Sequence, residues 1–155
     1  MQLIRDVLNL NPILTVALLA WFVAQVLKTL INFILLGKFQ LERMWGDGGM
    51  PSAHSATVCA MLVAAARLEG TDSAIFAVAS VVAIITMHDA MGVRRETGKQ
   101  ARILNQMLTE WIEMGARSTP ILADKKLKEM VGHTPIEVIS GAALGALVGW
   151  VIPLV

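Results

Sequence analysis

Apolar residues dominate four long stretches of the chain, and short polar or glycine-rich segments separate them. The stretches are 12–36, 52–67, 73–91 and 135–155. At 1.5 Å per helical residue the second would be about 24 Å long and the others about 28–37 Å, against roughly 30 Å for the hydrocarbon core of a bilayer. We therefore expect four transmembrane helices, of which the second is the shortest.

The residues between these stretches are typical of helix boundaries. A glycine-rich run, 46–49, precedes the second stretch, and 69–72 separates the second from the third. Thr134-Pro135 opens the fourth, with Glu137 three residues after the threonine. This pattern predicts a capping box, in which the threonine and glutamate side chains each bond a free backbone N–H group of the first turn.

A polar stretch, 92–134, lies between the third and fourth apolar stretches. Within it apolar residues recur at helical spacing among charges, as they do in an amphipathic helix: Ile103, Leu104, Met107, Leu108, Trp111 and Ile112. This helix could lie in the membrane interface or pack on its own membrane domain. The predicted fold is an all-α, integral membrane helical bundle, 1–155, with about four transmembrane helices plus an interfacial amphipathic helix.

Composition agrees with a membrane protein and excludes other classes. Hydrophobic residues make up 55% of the 155 residues, against roughly 45–50% apolar residues in soluble domains. The run 12–36 is longer than the roughly 7–15 apolar residues of a secretory signal, so we expect it to be retained as a helix. The single cysteine, Cys59, excludes an intramolecular disulfide, and a net charge of +1 gives no reason to expect nucleic acid as a partner.

Basic residues are placed unevenly and predict the orientation in the membrane. Most basic residues lie in the loop 92–134 and in the loop after the first span, whereas the other side of the membrane would carry only Arg5 and Arg67. The positive-inside rule therefore places both termini outside and the loop 92–134 in the cytoplasm. We expect a multi-pass protein of the plasma membrane, with anionic lipid as a compatible partner at its cytoplasmic surface. The basic residues of the predicted cytoplasmic loops are Lys38, Arg43, Arg94, Arg95, Lys99, Arg102, Arg117, Lys125, Lys126 and Lys128.

Titratable residues gather on that same side. With alternating spans His54, His88, Asp89 and His133 all fall at the cytoplasmic ends of their helices, and Lys28 lies in the cytoplasmic half of the first. Charged groups at membrane depth cost several kcal/mol unless they are paired or hydrated, so they mark functional sites.

Structural roles are open for several of these residues. Lys28 could extend its ammonium group to the interface, and Asp89 could pair with Arg94 or with Lys28. Glu137 could act only as a helix cap, yet it also follows His133 by four residues, so its carboxylate could hold the imidazole in one tautomer.

The residue types favour phosphate chemistry. Residues 50–55 follow a Gly-Gly pair and open a helix, where free N–H groups and serine hydroxyls can bind phosphate oxygens. Two histidines, an acid and several cations suit phosphomonoester hydrolysis without a metal, with one histidine attacking phosphorus and the other protonating the leaving alkoxide. A metal site built from His54, His88, Asp89 and Glu137 is the alternative, but the spacing matches no metal motif, and we expect neither metal nor cofactor.

Two segments resemble motifs of a known family. Met50-Pro51-Ser52-Ala53-His54-Ser55 resembles the P-S-G-H motif of type 2 phosphatidic acid phosphatases, which belong to one superfamily with vanadium-dependent haloperoxidases. Residues 132–137, followed by 140–145, resemble that family's H-x-x-x-D motif and the small-residue helix after it. Including 89–95, the whole chain is similar to the small divergent branch of this family, known mainly from uncharacterised bacterial and plant proteins.

The resemblance implies a role for each matching residue. His133 becomes the phosphoryl-accepting nucleophile, Glu137 the acid that orients it, and His54 the general acid. Ser52 would contact phosphate, and Lys28 would be the lysine of the family's first motif.

The chain departs from the family pattern at four positions. Ala53 replaces a glycine, Glu137 replaces an aspartate, and Leu35 and Leu127 stand where the first and third motifs have arginine. Phosphate binding would then fall to other cations, and His88 and Asp89 would have structural or supporting roles. The cations considered are Lys28, Arg94, Arg95 and Lys128.

These observations predict a metal-independent membrane phosphatase that hydrolyses a lipid phosphate or diphosphate through a phosphohistidine at the cytoplasmic face. The alternatives are a non-catalytic membrane protein that binds anionic lipid or a partner, and a small transporter. Gly141, Gly145 and Gly149 form a G-x-x-x-G-x-x-x-G face on the last helix, which would permit either a homodimer or close packing within the chain.

Overall fold

The structure is a computed structural model that describes residues 11–36, 49–114, 126–129 and 131–154. Every regular element in these residues is helical, which confirms the predicted all-α class. The helices are α1 Pro12–Leu36, α2 Ala53–Glu69, α3 Ala74–Met91, α4 Val93–Glu113 and α5 Pro135–Val151. Val155 and part of the loop 92–134 lie outside the described residues, as do Arg5, Lys38, Arg43, Arg117 and Lys125 of the charge pattern.

The described helices lie where the apolar stretches predict them. The starts of α2 and α3 differ from the predicted ones by one residue. The fourth stretch is helical over a shorter range than its apolar residues, since α5 ends at Val151 and Pro153 follows. Proline lacks the N–H group that would continue the helical hydrogen bonds.

Hydroxyl side chains fix the starts of three helices. Ser52, Ser73 and Thr134 each accept a hydrogen bond from the backbone N–H three residues later. At Thr134 the carboxylate of Glu137 also accepts from the backbone N–H of the threonine, over 2.9 Å. The predicted capping box is confirmed.

Helix α2 is the centre of the bundle and contacts α1, α3 and α5. It packs most closely against the glycine face of α5. A Cβ atom on Gly145 would overlap the backbone of Ala56, and one on Gly149 would lie 2.9 Å from the carbonyl oxygen of Ala60. Of the two alternatives for this face the structure shows the internal contact, so a homodimer through Gly141, Gly145 and Gly149 would require α2 and α5 to separate.

Small residues lie inside the bundle and large apolar residues lie outside. Two stretches, Pro12–Ile34 and one within Ala74–Glu113, are long and apolar enough to cross a membrane, and only 28% and 17% of their most apolar windows are buried. Helix α5 is a shorter apolar helix. A core helix of a soluble protein would be mostly buried, whereas a surrounding lipid phase accommodates exposed side chains such as Phe22, Val78 and Ile85.

Arg67 closes the bundle at the end opposite the histidines. Its Nη1 donates to the carbonyl oxygens of Gly149 over 2.7 Å and Ile152 over 2.9 Å. Its guanidinium carbon also lies 5.8 Å from the ring centroid of Trp150. The side chain therefore satisfies carbonyl groups that the end of α5 leaves without helical partners.

Helix α4 confirms the predicted amphipathic helix and divides into two parts. In its first half Gly98 and Ala101 are buried, and Gly98 lies against the carbonyl oxygens of Glu129 and Val131. In its second half the apolar residues stay exposed, including Met107 and Trp111 at 60% each. One half packs on the protein itself, and the other presents an apolar face outward.

Candidate active site

The segment that ends at His133 runs antiparallel along α4. Asn105 binds both backbone groups of Leu127, since its Nδ2 donates to the carbonyl oxygen and its Oδ1 accepts from the N–H, each over 2.9 Å. The same Nδ2 donates to Oε1 of Glu129 over 2.9 Å, and Nε of Arg102 donates to Oε2 over 3.4 Å. Glu129 is outside the helices, and the hydrogen bond from Asn105 is the main cause that lowers the pKa of its carboxyl group.

Gly132 brings this segment onto the start of α4. Its φ of +84° lies in the left-handed region, and a Cβ atom there would overlap the backbone N of Arg95. Only glycine satisfies both conditions. The next residue, His133, then donates its backbone N–H to the carbonyl oxygen of Ala90 over 2.9 Å, which ties it to the last turn of α3.

The imidazole of His133 is 2% exposed, and Glu137 holds its orientation through the Nδ1 atom. Its Nδ1 lies 3.3 Å from Oε2 of Glu137, the oxygen that also accepts from the backbone N–H of Thr134. The carboxylate favours the tautomer with a proton on Nδ1, which leaves the lone pair on Nε2. The ring centroid of His54 lies 5.9 Å away, with 64° between the ring planes.

Burial lowers the pKa of His133 below its ordinary value of 6.5. Glu137 opposes this shift by hydrogen bonding and by its charge, whereas electrostatic interactions with Lys28 and His54 add to it. The imidazole is therefore neutral at pH 7, and a neutral ring carries the lone pair that a nucleophile needs.

A backbone hydrogen bond joins the start of α2 to the first turn of α5, close to His133. The backbone N–H of Ser52 donates to the carbonyl oxygen of Glu137 over 2.9 Å. The hydroxyl of Ser55 donates to that of Ser52 over 3.1 Å, and both serines are fully buried. Lys28 is only 3% exposed, and its aliphatic stem passes beside Gly49.

A cleft of about 340 Å³ opens onto His133. One wall is α4, and the other is formed by Glu129 and residues 131–134. Three cations of α4 line the cleft, at positions spaced by four and three residues: Arg95, Lys99 and Arg102. The sequence prediction included Arg95 but missed the other two, although their helical spacing to Arg95 is visible in the sequence.

The structure brings most of the predicted site residues together. His133, Glu137 and Arg95 line the cleft, with His54, Ser52 and Lys28 behind or beside His133. The remaining four predicted residues do not line it either. Arg94 donates from Nε to Oδ2 of Asp89 over 2.6 Å, which is one of the two pairings predicted for Asp89. His88 and Lys128 are exposed outside the cleft, and the described residues contain no group of three or more metal-binding side chains.

Comparison with known sequences decides the family. A family model described as "Divergent PAP2 family" matches residues 9–148, a range that includes every residue of the site. The chain belongs to the divergent PAP2 family. It is 41% identical over 148 residues to the "Uncharacterized membrane protein YuiD" of Bacillus subtilis (strain 168), which covers 92% of this chain and 93% of that protein. No solved structure matches.

Membership of the divergent PAP2 family confirms the resemblance to type 2 phosphatidic acid phosphatases. The description of the relative as a membrane protein agrees with the apolar outer surface of the bundle. The structure also accommodates two departures from the family motif. Ala53 is buried at 4% exposure, and the longer side chain of Glu137 reaches both the N–H of Thr134 and Nδ1 of His133.

Proposed function

We propose that this protein is a membrane phosphatase that hydrolyses a lipid phosphate or diphosphate through a phosphohistidine on His133. One observation carries the proposal: a buried histidine, held through Nδ1 by Glu137, lies at the end of a cleft lined by three cations. A histidine buried only for packing would not require a cleft lined by cations beside it.

The first chemical step is displacement at phosphorus. Nε2 of His133 attacks the phosphorus atom, the bond from phosphorus to the lipid oxygen breaks, and the leaving alkoxide takes a proton from His54. Lys28 and Arg95 supply positive charge for the phosphoryl oxygens. Ser52, at the start of the helix that carries His54, is the residue expected to contact phosphate. A water molecule then gives a proton to His54 and attacks phosphorus, and the phosphorus–nitrogen bond breaks, which releases inorganic phosphate and restores both the neutral imidazole of His133 and the protonated His54.

The apolar surface beside the site supports a lipid as the substrate. Ile136 and Ile139 flank Glu137 and are 70% and 66% exposed. The acyl or prenyl chains of a lipid whose only phosphate group lies at His133 can stay in the bilayer along this face of α5. The basic residues of 92–134 support the cytoplasmic leaflet as the source of that lipid.

Phosphate release from purified protein in detergent tests the proposal. The substrates are phosphatidate, phosphatidylglycerophosphate and a polyprenyl diphosphate, each assayed with and without EDTA. The control variant is His88→Ala, which removes an exposed histidine from the same end of the bundle. We expect release by the wild type and by His88→Ala, and loss of release together with loss of the covalent phosphoprotein in His133→Ala.

Other results would contradict specific parts of the proposal. Equal release by His133→Ala and the wild type would exclude His133 as the nucleophile. Loss of release on adding EDTA would show a metal-dependent reaction. No release from any of these substrates would contradict the phosphatase proposal and favour the alternative, a non-catalytic membrane protein that binds anionic lipid.

A further inference from the structure

The cleft extends well beyond the position of the reacting phosphate. Gly132 rests on the backbone of Arg95, and Glu129 lies beside Arg102. Arg95 and Arg102 are seven residues apart, so the two ends are separated by about 10 Å along the helix axis. A single phosphate bound at His133 occupies only the end that contains Arg95.

The residues that line the far end of the cleft include two cations, Lys99 and Arg102, and one carboxylate, Glu129. Glu96, the partner of Lys99, does not line the cleft. Glu137, the other carboxylate of the cleft, lies at the histidine end and already holds His133. The described cations therefore continue along the cleft past the site of reaction.

Both distant cations can exchange their present partners at little cost. Lys99 pairs with Glu96 over 2.6 Å, but both side chains are more than half exposed. Arg102 pairs with Glu129 over a longer 3.4 Å, and its side chain is 74% exposed. Exposed ion pairs contribute only about 0–1 kcal/mol, so a phosphate group that contacts both cations can replace them.

We propose that Lys99 and Arg102 form a second anion subsite, which binds a further phosphate group on the headgroup of the same substrate. This inference rests on the proposed function and narrows its substrate class. The second group would lie about 6–10 Å from the first, the distance from Arg95 to Lys99 and to Arg102 along the axis. A headgroup with two phosphates joined by a short polyol fits this spacing, whereas the phosphates of a diphosphate share one bridging oxygen and lie much closer.

The test compares a lipid of each kind in wild-type protein and in the double variant Lys99→Ala/Arg102→Ala. Phosphatidylglycerophosphate carries two phosphates joined through glycerol, and phosphatidate carries one. We expect the double variant to lower kcat/KM for the first lipid on the order of 10- to 100-fold, because two charge-assisted contacts are lost. For phosphatidate we expect a change of less than about threefold.

A matched control separates the subsite from general charge. Lys126→Ala removes an exposed cation from the segment opposite α4, outside the cleft. It should leave the ratio of the two kcat/KM values unchanged. Glycerol bisphosphate and glycerol 3-phosphate, added as soluble inhibitors, show whether the lipid chains are needed: stronger inhibition by the bisphosphate that disappears in the double variant places recognition in the headgroup alone.

Binding to the His133→Ala protein keeps this inference distinct from the phosphatase proposal. Tighter binding of the two-phosphate lipid that is lost on adding Lys99→Ala/Arg102→Ala would support the subsite even if no phosphate is released. If both lipids are hydrolysed and the double variant does not change the ratio of their kcat/KM values, the subsite proposal is overturned, whereas the phosphatase proposal stands. Equal binding of the two lipids by His133→Ala would also overturn the subsite.

Discussion

The backbone N–H of His133 donates to the carbonyl oxygen of Ala90 over 2.9 Å, which joins the start of α5 to the last turn of α3. A second bond, from Ser52 N–H to the carbonyl oxygen of Glu137, joins the start of α2 to the first turn of α5. Three helices thus fix the backbone on both sides of one imidazole. A reacting group held by rigid elements needs little reorganisation when the substrate binds.

The pH dependence of phosphate release should report the environment of His133. In the proposed reaction the neutral imidazole is the reactive form, and burial lowers the pKa of His133 below 6.5. Activity should therefore persist at pH 6.5 and decline only at lower pH. Below pH 6.5 the unfolded chain binds a proton that the folded chain does not, so this histidine also makes folding less favourable as the pH falls.

Two substitutions should move the acid limb of the kcat/KM profile in opposite directions. Glu137→Gln removes a charge that raises the pKa of His133, so the limb should shift to lower pH, with kcat reduced by roughly 100-fold or more because the tautomer is no longer enforced. Lys28→Met removes a charge that lowers it, so the limb should shift to higher pH. Identical profiles in both variants would show that His133 does not control the rate.

The contact between α2 and α5 should be intolerant of larger side chains. Gly145→Leu forces a side chain into the backbone of Ala56, and we expect a loss of about 2–3 kcal/mol in the free energy of unfolding. Ala143→Leu adds a side chain to the exposed face of the same helix and should change the stability little. Denaturant unfolding in detergent measures both, and equal stability of the two variants would contradict this packing.

Asn105 should position His133 although it lies far from it in sequence. Asn105→Leu removes the bonds to Leu127 and Glu129, so the segment should loosen and kcat should fall on the order of 10-fold, with a smaller change in KM. The pKa of His133, followed by NMR, should rise towards 6.5 as water gains access. Gln106→Leu, one residue along the same exposed helix, is the control, and an unchanged pKa in Asn105→Leu would argue against positioning.

Cysteine labelling in intact cells tests the orientation. In a Cys59→Ala background, Gln100→Cys places an exposed thiol on α4 and Thr71→Cys places one in the turn between α2 and α3. A membrane-impermeant maleimide should label position 71 directly and position 100 only after permeabilisation. Labelling of position 100 in intact cells would show instead that the cleft faces the outside of the cell.

Much of the fold could be predicted from sequence because its signals are local. The apolar stretches predict the helices, since their lengths match the bilayer. Thr134, Pro135 and Glu137 predict the capping box, because those contacts lie within one turn. The same proximity predicts the contact between His133 and Glu137, which are four residues apart on adjoining backbone.

The rest of the site depends on how the helices pack. His54 and His133 are far apart in sequence, and their rings approach only because α2 and α5 meet along the glycine face. Ala90 and Asn105 carry no chemical signal in the sequence, since any residue has a carbonyl group and an asparagine in a polar helix is common.

The neighbouring arginines of α4 show most directly where sequence information ends. Arg94 and Arg95 are both predicted to bind phosphate, yet Arg94 pairs with Asp89 whereas Arg95 lines the cleft. Successive residues of a helix differ by about 100° in direction. The sequence alone determined the helices, their caps and the residues that we propose to react; only the docking of Gly132 on α4 decided which side of that helix became the wall of the cleft.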